Sequence, residues 1–411
     1  MNFQIEHLIQ QIKGWFPKAQ AHIEAQAADL DARFKDEQNY TRLSPEEIAD
    51  YQNKIRSLSL PEVYQNETKN KILKVLKQWK KDKSSVNHLF VLVSPIEATK
   101  VILNQTLEEI DDETLRMELL SWTARPDEYS TFKSQLNSKL ESGENDPETN
   151  NNQTPESLVI IPDLSLCFLR CIEGLDGIEY LFDLILKDRS RFWLVGCNQW
   201  AWNYFDYLYK VNTCFEHIFH LPTLNAVQLK QWLTPVYENL DLEFANNQND
   251  ADNQDNEWRE EDNWISPDEK QYFERLADIS EGLSQPAAYL WLDSLRYLKQ
   301  PEETDSETVE LGKNQPEKQL ILKRATLPDL PELTKEDQYL LSSIGLHGEI
   351  SLSALAVSLG DPENLVRIQV QRLLRTRIIW GQQEQFRLSP NSYPRLKRDL
   401  IDNQILAGEQ D

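Results

Sequence analysis

Leu158-Val159-Ile160-Ile161-Pro162-Asp163 and Phe192-Trp193-Leu194-Val195-Gly196-Cys197-Asn198 are the two stretches that decide the fold of this chain. Each is a short run of mainly apolar residues that ends in a polar side chain, Asp163 in the first and Asn198 in the second. Continuous apolar runs of this length indicate strands that are buried on both faces, as in a parallel sheet covered by helices. The sequence therefore predicts an α/β fold with Asp163 and Asn198 at strand ends.

Short apolar runs and helical patterns alternate between residues 88 and 221. The predicted strands are 88–94, 116–122, 158–163, 192–198 and 218–221. The predicted helices are 98–109, 128–140, 175–186 and 201–209. This alternation is typical of an α/β sandwich, and it favours one parallel sheet.

The two strand ends resemble the Walker B and sensor 1 strands of AAA+ and STAND-type P-loop ATPases. Asp163 stands at the Walker B position and Asn198 at the sensor 1 position, and residues 280–288 are similar to the lid motif of that family. The resemblance implies a P-loop ATPase-like parallel sheet sandwich followed by a helical lid. It also implies that Asp163 and Asn198 occupy the family's cofactor-binding positions.

The glycine-lysine loop that holds the phosphates in that family is absent. Residues 93–100, which follow the first predicted strand, contain no glycine. Pro95 removes an N–H donor, β-branched Ile96 resists positive φ angles, and Glu97 places an anion where the phosphates would sit. Ordinary P-loop binding of a nucleotide is not expected from such a stretch.

Two further catalytic features of the family are missing. Leu164 stands where the family carries the carboxylate that activates water, and Gln285 and Pro286 stand near the place of the lid arginine. We therefore expect no catalytic residue and no cofactor, with neither ATP nor Mg²⁺ expected to bind, and we interpret Asp163 and Asn198 as vestigial. An equally weighted alternative is that both side chains only cap the helical turns that follow them.

Four parts are predicted along the chain. They are a helical N-terminal arm (1–80), an AAA+-like α/β core without a P-loop (81–235), a helical lid with an acidic insert and a linker (236–332), and a winged helix (333–411). The arm begins with one apolar helix face, formed by Ile5, Leu8, Ile9, Ile12, Trp15 and Phe16.

The winged helix is predicted from three helices, 335–346, 352–359 and 362–376, followed by short strands near residues 378–380 and 386–388. Its basic residues outnumber its acidic ones, with eight bases against Glu363 and Glu384 in residues 363–398. The proposed contact residues for nucleic acid or a protein partner are Arg367, Gln371, Arg375 and Arg377. We favour a protein partner because the net charge of −25 on the whole chain repels DNA.

The composition of this 411-residue chain bears on its cellular compartment and on the state of its cysteines. No apolar run approaches the length of a membrane span, and the N-terminus lacks the pattern of a secretory signal, so we expect a cytoplasmic protein without a membrane span. The four cysteines, Cys167, Cys171, Cys197 and Cys214, are expected to be reduced thiols and not metal ligands.

The leading hypothesis is a catalytically inactive AAA+/STAND-like protein that acts as a regulatory or scaffold subunit through protein contacts. The first alternative is a DNA-binding protein that acts through the winged helix. The second is an active ATPase with a non-standard phosphate loop. The sequence does not fix the oligomeric state.

Overall fold

The computed structural model describes residues 39–112, 114–122, 125, 129–144, 156–245, 264–299 and 319–406. The apolar helix predicted near the N-terminus lies outside these residues, as does most of the acidic insert. No helix in the described ranges combines the length and the apolar character that crossing a bilayer requires.

Twelve strands occur in the described ranges, and most of them are short. They are β1 (Tyr40–Arg42), β2 (His88–Val93), β3 (Leu115–Leu119), β4 (Glu156–Ile161), β5 (Phe192–Asn198), β6 (Ile218–His220), β7 (Leu242–Phe244), β8 (Leu295–Leu298), β9 (Leu320–Leu322), β10 (Ile350–Ser351), β11 (Ile379–Gln382) and β12 (Gln385–Leu388). The five strands predicted for the core are all present as β2 to β6, with ends shifted by a few residues.

The helices of the described ranges flank these strands. They are α1 (Pro45–Arg56), α2 (Glu62–Lys81), α3 (Thr99–Glu108), α4 (Tyr129–Glu144), α5 (Asp176–Lys187), α6 (Gln199–Tyr209), α7 (Val211–Cys214), α8 (Ala226–Tyr237), α9 (Pro267–Ile279), α10 (Ser284–Ser294), α11 (Lys335–His347), α12 (Leu352–Leu359), α13 (Glu363–Arg375) and α14 (Tyr393–Asp402). A single 3₁₀ turn, Leu164–Leu166, follows β4.

The central sheet is parallel and has the order β3-β4-β5-β2-β6. Every residue of β2 and β5 is buried, as the continuous apolar runs predict. Alternate side chains of β2 point to opposite faces, so Leu89 packs in one hydrophobic core and Phe90 in the other. The predicted α/β class with a parallel sheet is therefore confirmed.

A second, mixed sheet was not predicted. It has four strands in the order β1-β8-β9-β7, and it lies in the part of the chain that was expected to be helical. Its strands are three or four residues long, too short to show a period of two. Segments that are far apart in sequence pair in it, as when Tyr40 lies opposite Leu298.

The C-terminal unit, defined here as residues 335–402, contains α11 to α14 and a three-stranded antiparallel sheet of order β10-β12-β11. Its third helix, α13, buries a stripe formed by Val366, Val370 and Leu373, while Leu374 is only partly buried. These side chains pack with Leu340 and Ile344 of α11 in a third hydrophobic core. The unit therefore has a core formed mainly by its own residues, to which Trp200 of α6 also contributes.

Candidate functional site

A cleft of about 1300 Å³ lies at the carboxyl ends of the central strands. The loop after β2, Asp163 after β4 and Asn198 at the end of β5 all line it. These strand ends are neighbours because β5 pairs with both β4 and β2. In open α/β sheets this edge is the usual place for a ligand.

Asp163 makes a local cap. Its carboxylate accepts hydrogen bonds from the backbone N–H of Ser165 (2.8 Å) and from the Ser165 hydroxyl (2.8 Å), which fixes the 3₁₀ turn. Burial raises the pKa of Asp163, while the Ser165 hydrogen bonds and the charges of Arg125 and Lys100 act in the opposite direction. Asp163 therefore caps the turn that follows it, which is one of the two roles considered for this residue. Its role in cofactor binding stays a prediction.

Asn198 joins the central sheet to the C-terminal unit. Its Oδ1 accepts a hydrogen bond from the backbone N–H of Trp200 (2.9 Å), which caps α6. Its Nδ2 donates to the carbonyl oxygens of Gly345 (2.6 Å) and Leu346 (3.2 Å) in the last turn of α11. With only 4% of its surface exposed, Asn198 satisfies backbone groups of two separate units.

The same junction depends on close packing of α11 against α6. Gly345 faces the ring of Trp200, and a Cβ at residue 345 would overlap that ring. Trp200 in turn stacks on Tyr393 of α14, with ring centroids 5.7 Å apart and an interplanar angle of 28°. The glycine therefore allows the helix carbonyls to reach Asn198.

His347, at the end of α11, forms a second contact with the core. Its ring stacks on Phe168 at 5.0 Å, and its Nε2 accepts from the backbone N–H of Arg170 (3.2 Å). Its Nδ1 lies 2.7 Å from the Ser343 carbonyl oxygen, so the proton of the neutral ring resides on Nδ1. Burial, with the nearby charge of Arg125, lowers the pKa of His347 to about 3.

Arg125 is a site residue that the sequence analysis missed. Its Nε donates to the Phe168 carbonyl (3.1 Å) and its Nη2 to the Glu349 carbonyl (3.0 Å), so it links the core to the C-terminal unit. Burial lowers its pKa to about 10, and the charge of Asp163 partly opposes this shift. No pattern in the sequence marks this arginine, because its partners are backbone carbonyls from distant segments.

Glu97 holds the first turn of α10. Its carboxylate accepts from the Ser284 hydroxyl (2.8 and 2.9 Å to its two oxygens) and from the backbone N–H of Gln285 (3.1 Å). A carboxylate at a helix N-terminus satisfies N–H groups that lack partners inside the helix and interacts favourably with the helix dipole. Burial raises the pKa of Glu97, whose surface is 7% exposed.

The four predicted contact residues of the C-terminal unit lie elsewhere. Arg367, Gln371, Arg375 and Arg377 are all exposed, and none is among the described residues that line the cleft. Arg367 pairs with Glu363 at 2.7 Å. The structure thus brings Asp163 and Asn198 together in one cleft and places the α13 residues on a separate surface.

Potential metal ligands are dispersed among the described residues. In those ranges no three His, Cys, Asp or Glu side chains are grouped so as to hold a metal ion. Within the same ranges Cys167 and Cys171 are free thiols, as are Cys197 and Cys214.

Comparison with known proteins gives structural matches only. No protein-family model matches the chain, and no curated protein matches it. Similar solved structures include the Thermotoga maritima RuvB Holliday junction branch migration motor, at 16% identity over 84% of this chain and 98% of that chain, with a TM-score of 0.30. Cdc6p from Pyrobaculum aerophilum matches at 9% identity over 84% and 99% of the two chains, with a TM-score of 0.34. The Aeropyrum pernix ORC2 protein, in ADPNP-ADP complexes, matches at 11% identity over 83% and 94%, with a TM-score of 0.31.

The expectation that neither ATP nor Mg²⁺ binds as a cofactor needs correction. That expectation is wrong, because the similar ORC2 structure is described as ADPNP-ADP complexes. A missing glycine loop removes one way of holding phosphates but leaves others open. Here Lys100 and Arg125 bring two cations to a roomy cleft. The parallel five-stranded sheet itself establishes the α/β class.

Proposed function

We propose that this protein is a regulatory or scaffold protein on an AAA+/STAND-like ATPase fold, that it does not hydrolyse ATP, and that it acts through protein contacts. The observation that carries the proposal is the bonding of Asn198. At the position where the resembling ATPases keep a sensor for the nucleotide, this side chain donates to two carbonyls of the C-terminal unit. Its hydrogen-bonding capacity is used to join two parts of the protein.

The residues around Asp163 also favour an inactive site. Leu164 is fully buried and has no group that could accept a proton from water. The carboxylate of Glu97, in the loop after β2, accepts hydrogen bonds from Ser284 and Gln285 at the start of α10. A nucleotide in the cleft would therefore act as a ligand that stabilises the protein and not as a substrate.

The C-terminal unit would serve as a winged helix that contacts a protein. It is fastened to the core through Asn198, Arg125 and His347, while the outer surface of α13 faces solvent. A net charge of −25 disfavours a long-range approach to DNA. Protein partners are thus favoured over the DNA-binding alternative.

Phosphate release from Mg²⁺-ATP by the purified full chain tests the proposal. We expect no release above background, and we expect Asp163→Asn to leave that background unchanged. Magnesium-dependent release that Asp163→Asn abolishes would overturn the proposal. A melting curve with and without Mg²⁺-ADP separately reports binding, because a ligand of the folded state raises the apparent stability.

A further inference from the structure

Two apolar side chains stand exposed on α13 of the C-terminal unit. Ile368 is 67% exposed and Leu365 is 51% exposed. They are three residues apart on the helix and therefore share a face. On this 13-residue helix the buried stripe of Val366, Val370 and Leu373 lies on the opposite side.

Basic side chains lie on the C-terminal side of this apolar pair. Arg372 lies one turn beyond Ile368, and Arg375 lies two turns beyond it, so both belong to the same face. Both arginines are exposed. The result is an apolar knob with cations along its C-terminal side.

The ion pairs that two arginines of α13 already make disfavour nucleic acid as the ligand of this helix face. Arg367 is paired with Glu363, and Arg372 is paired with Asp337 at the start of α11. DNA affinity is dominated by the number of phosphates that free cations neutralise. An isoleucine in the middle of the exposed face also offers no hydrogen bond to a base edge.

We propose that this α13 face, centred on Ile368 and Leu365, docks an acidic amphipathic segment of a partner protein. Apolar side chains of the segment would cover Ile368 and Leu365, and its carboxylates would pair with Arg375 and share Arg372. Charge complementarity supports this occupant locally, because Arg372 and Arg375 lie on this face and Glu363, the acidic residue of α13, lies off it. The inference rests on the proposed function, and it names the chemistry of the partner.

Fluorescence anisotropy with the full chain tests the proposal. The probe is a labelled synthetic helical peptide of about 20 residues, with leucines on one face and glutamates on the others. A second peptide has the same composition in scrambled order, and a third probe is a 20-base-pair DNA duplex. We expect the amphipathic peptide to bind, the scrambled peptide to bind at least tenfold more weakly, and added salt to weaken binding.

Variants locate the site. Ile368→Ser or Leu365→Ser should each weaken binding about tenfold, since burying such a side chain contributes roughly that factor. Both positions are more than half exposed, so the fold should tolerate the changes. The matched control is Leu73→Ser on α2, where the leucine is 39% exposed and lies on another helix.

Three results would overturn the proposal: no peptide binding at about 1 mM, equal binding of the scrambled peptide, or equal weakening by Leu73→Ser. DNA binding near physiological salt that ignores Ile368 would favour the DNA-binding alternative instead. Phosphate release from the same samples tests the proposed function separately, because peptide binding requires no hydrolysis.

Discussion

Replacing Asn198 by aspartate should loosen the C-terminal unit while leaving the cap of α6 in place. The new carboxylate can still accept from the Trp200 N–H, as Oδ1 does now at 2.9 Å. It cannot donate to the carbonyls of Gly345 and Leu346, which Nδ2 holds at 2.6 and 3.2 Å. It would also place a negative charge at the negative end of the α11 dipole.

The magnitude follows from the burial of this junction. Leaving a buried acceptor without its donor costs about 1–3 kcal/mol, so two such carbonyls together set the scale of the loss. We expect Asn198→Asp to lower the free energy of unfolding by about 2–4 kcal/mol. The loss should shrink in acid, because a protonated aspartic acid regains one donor and no longer repels the carbonyls.

Urea unfolding followed by tryptophan fluorescence measures this loss, and amide hydrogen exchange in α11 shows whether the C-terminal unit separates first. Asn203→Asp on α6 is the matched control, since it adds the same charge and can still accept from Gln199, which now donates to Asn203 at 2.8 Å. A variant Asn198→Asp within about 0.5 kcal/mol of the wild type, the range of neutral surface changes, would refute the reasoning.

Further predictions concern Glu97, Gly345 and His347. Glu97→Ala should cost about 2–3 kcal/mol in urea unfolding because the donors at the start of α10 lose their acceptor, whereas Glu97→Gln keeps an acceptor. Burial raises the pKa of Glu97, so the stability that comes from protonating this side chain is present at low pH and is lost as pH rises through the folded pKa. The stability of Glu97→Gln relative to the wild type should therefore increase towards neutral pH. Gly345→Ala should cost about 1–3 kcal/mol and lower the melting temperature, because the added methyl overlaps the Trp200 ring. His347→Gln should reduce the loss of stability on acidification, because the lowered pKa of about 3 makes the folded state resist protonation below the ordinary histidine pKa; equal pH profiles for variant and wild type would contradict this.

The core strands could be predicted because local composition decides them. β5 has the predicted bounds, Phe192–Asn198, since a fully buried parallel strand needs apolar residues at nearly every position. The mixed sheet could not be predicted, because β1, β7 and β9 have three residues each and are stabilised by pairing with distant segments. The α14 helix was also missed, although Tyr393, Leu396 and Leu400 fill the core of the C-terminal unit.

The candidate site, like the fold, could be predicted from the sequence only in part. The sequence indicated that Asp163 and Asn198 lie at strand ends and identified Glu97 as an anion in the loop after β2. It could not identify Arg125, and it did not predict that Glu97 caps α10, whose first residues are 187 and 188 positions away.

By itself the sequence determined the α/β class, the parallel strands and the absence of a glycine-rich phosphate loop, because burial and backbone conformation are properties of short segments. Only the tertiary structure decided what the polar strand ends do. The carbonyls that Asn198 binds lie 147 and 148 residues further along the chain, and they come within reach because Gly345 lets α11 approach Trp200. A change of a few tenths of an ångström in the donor–acceptor distance decides whether a hydrogen bond forms. The distances between remote segments are set by packing and not by local sequence.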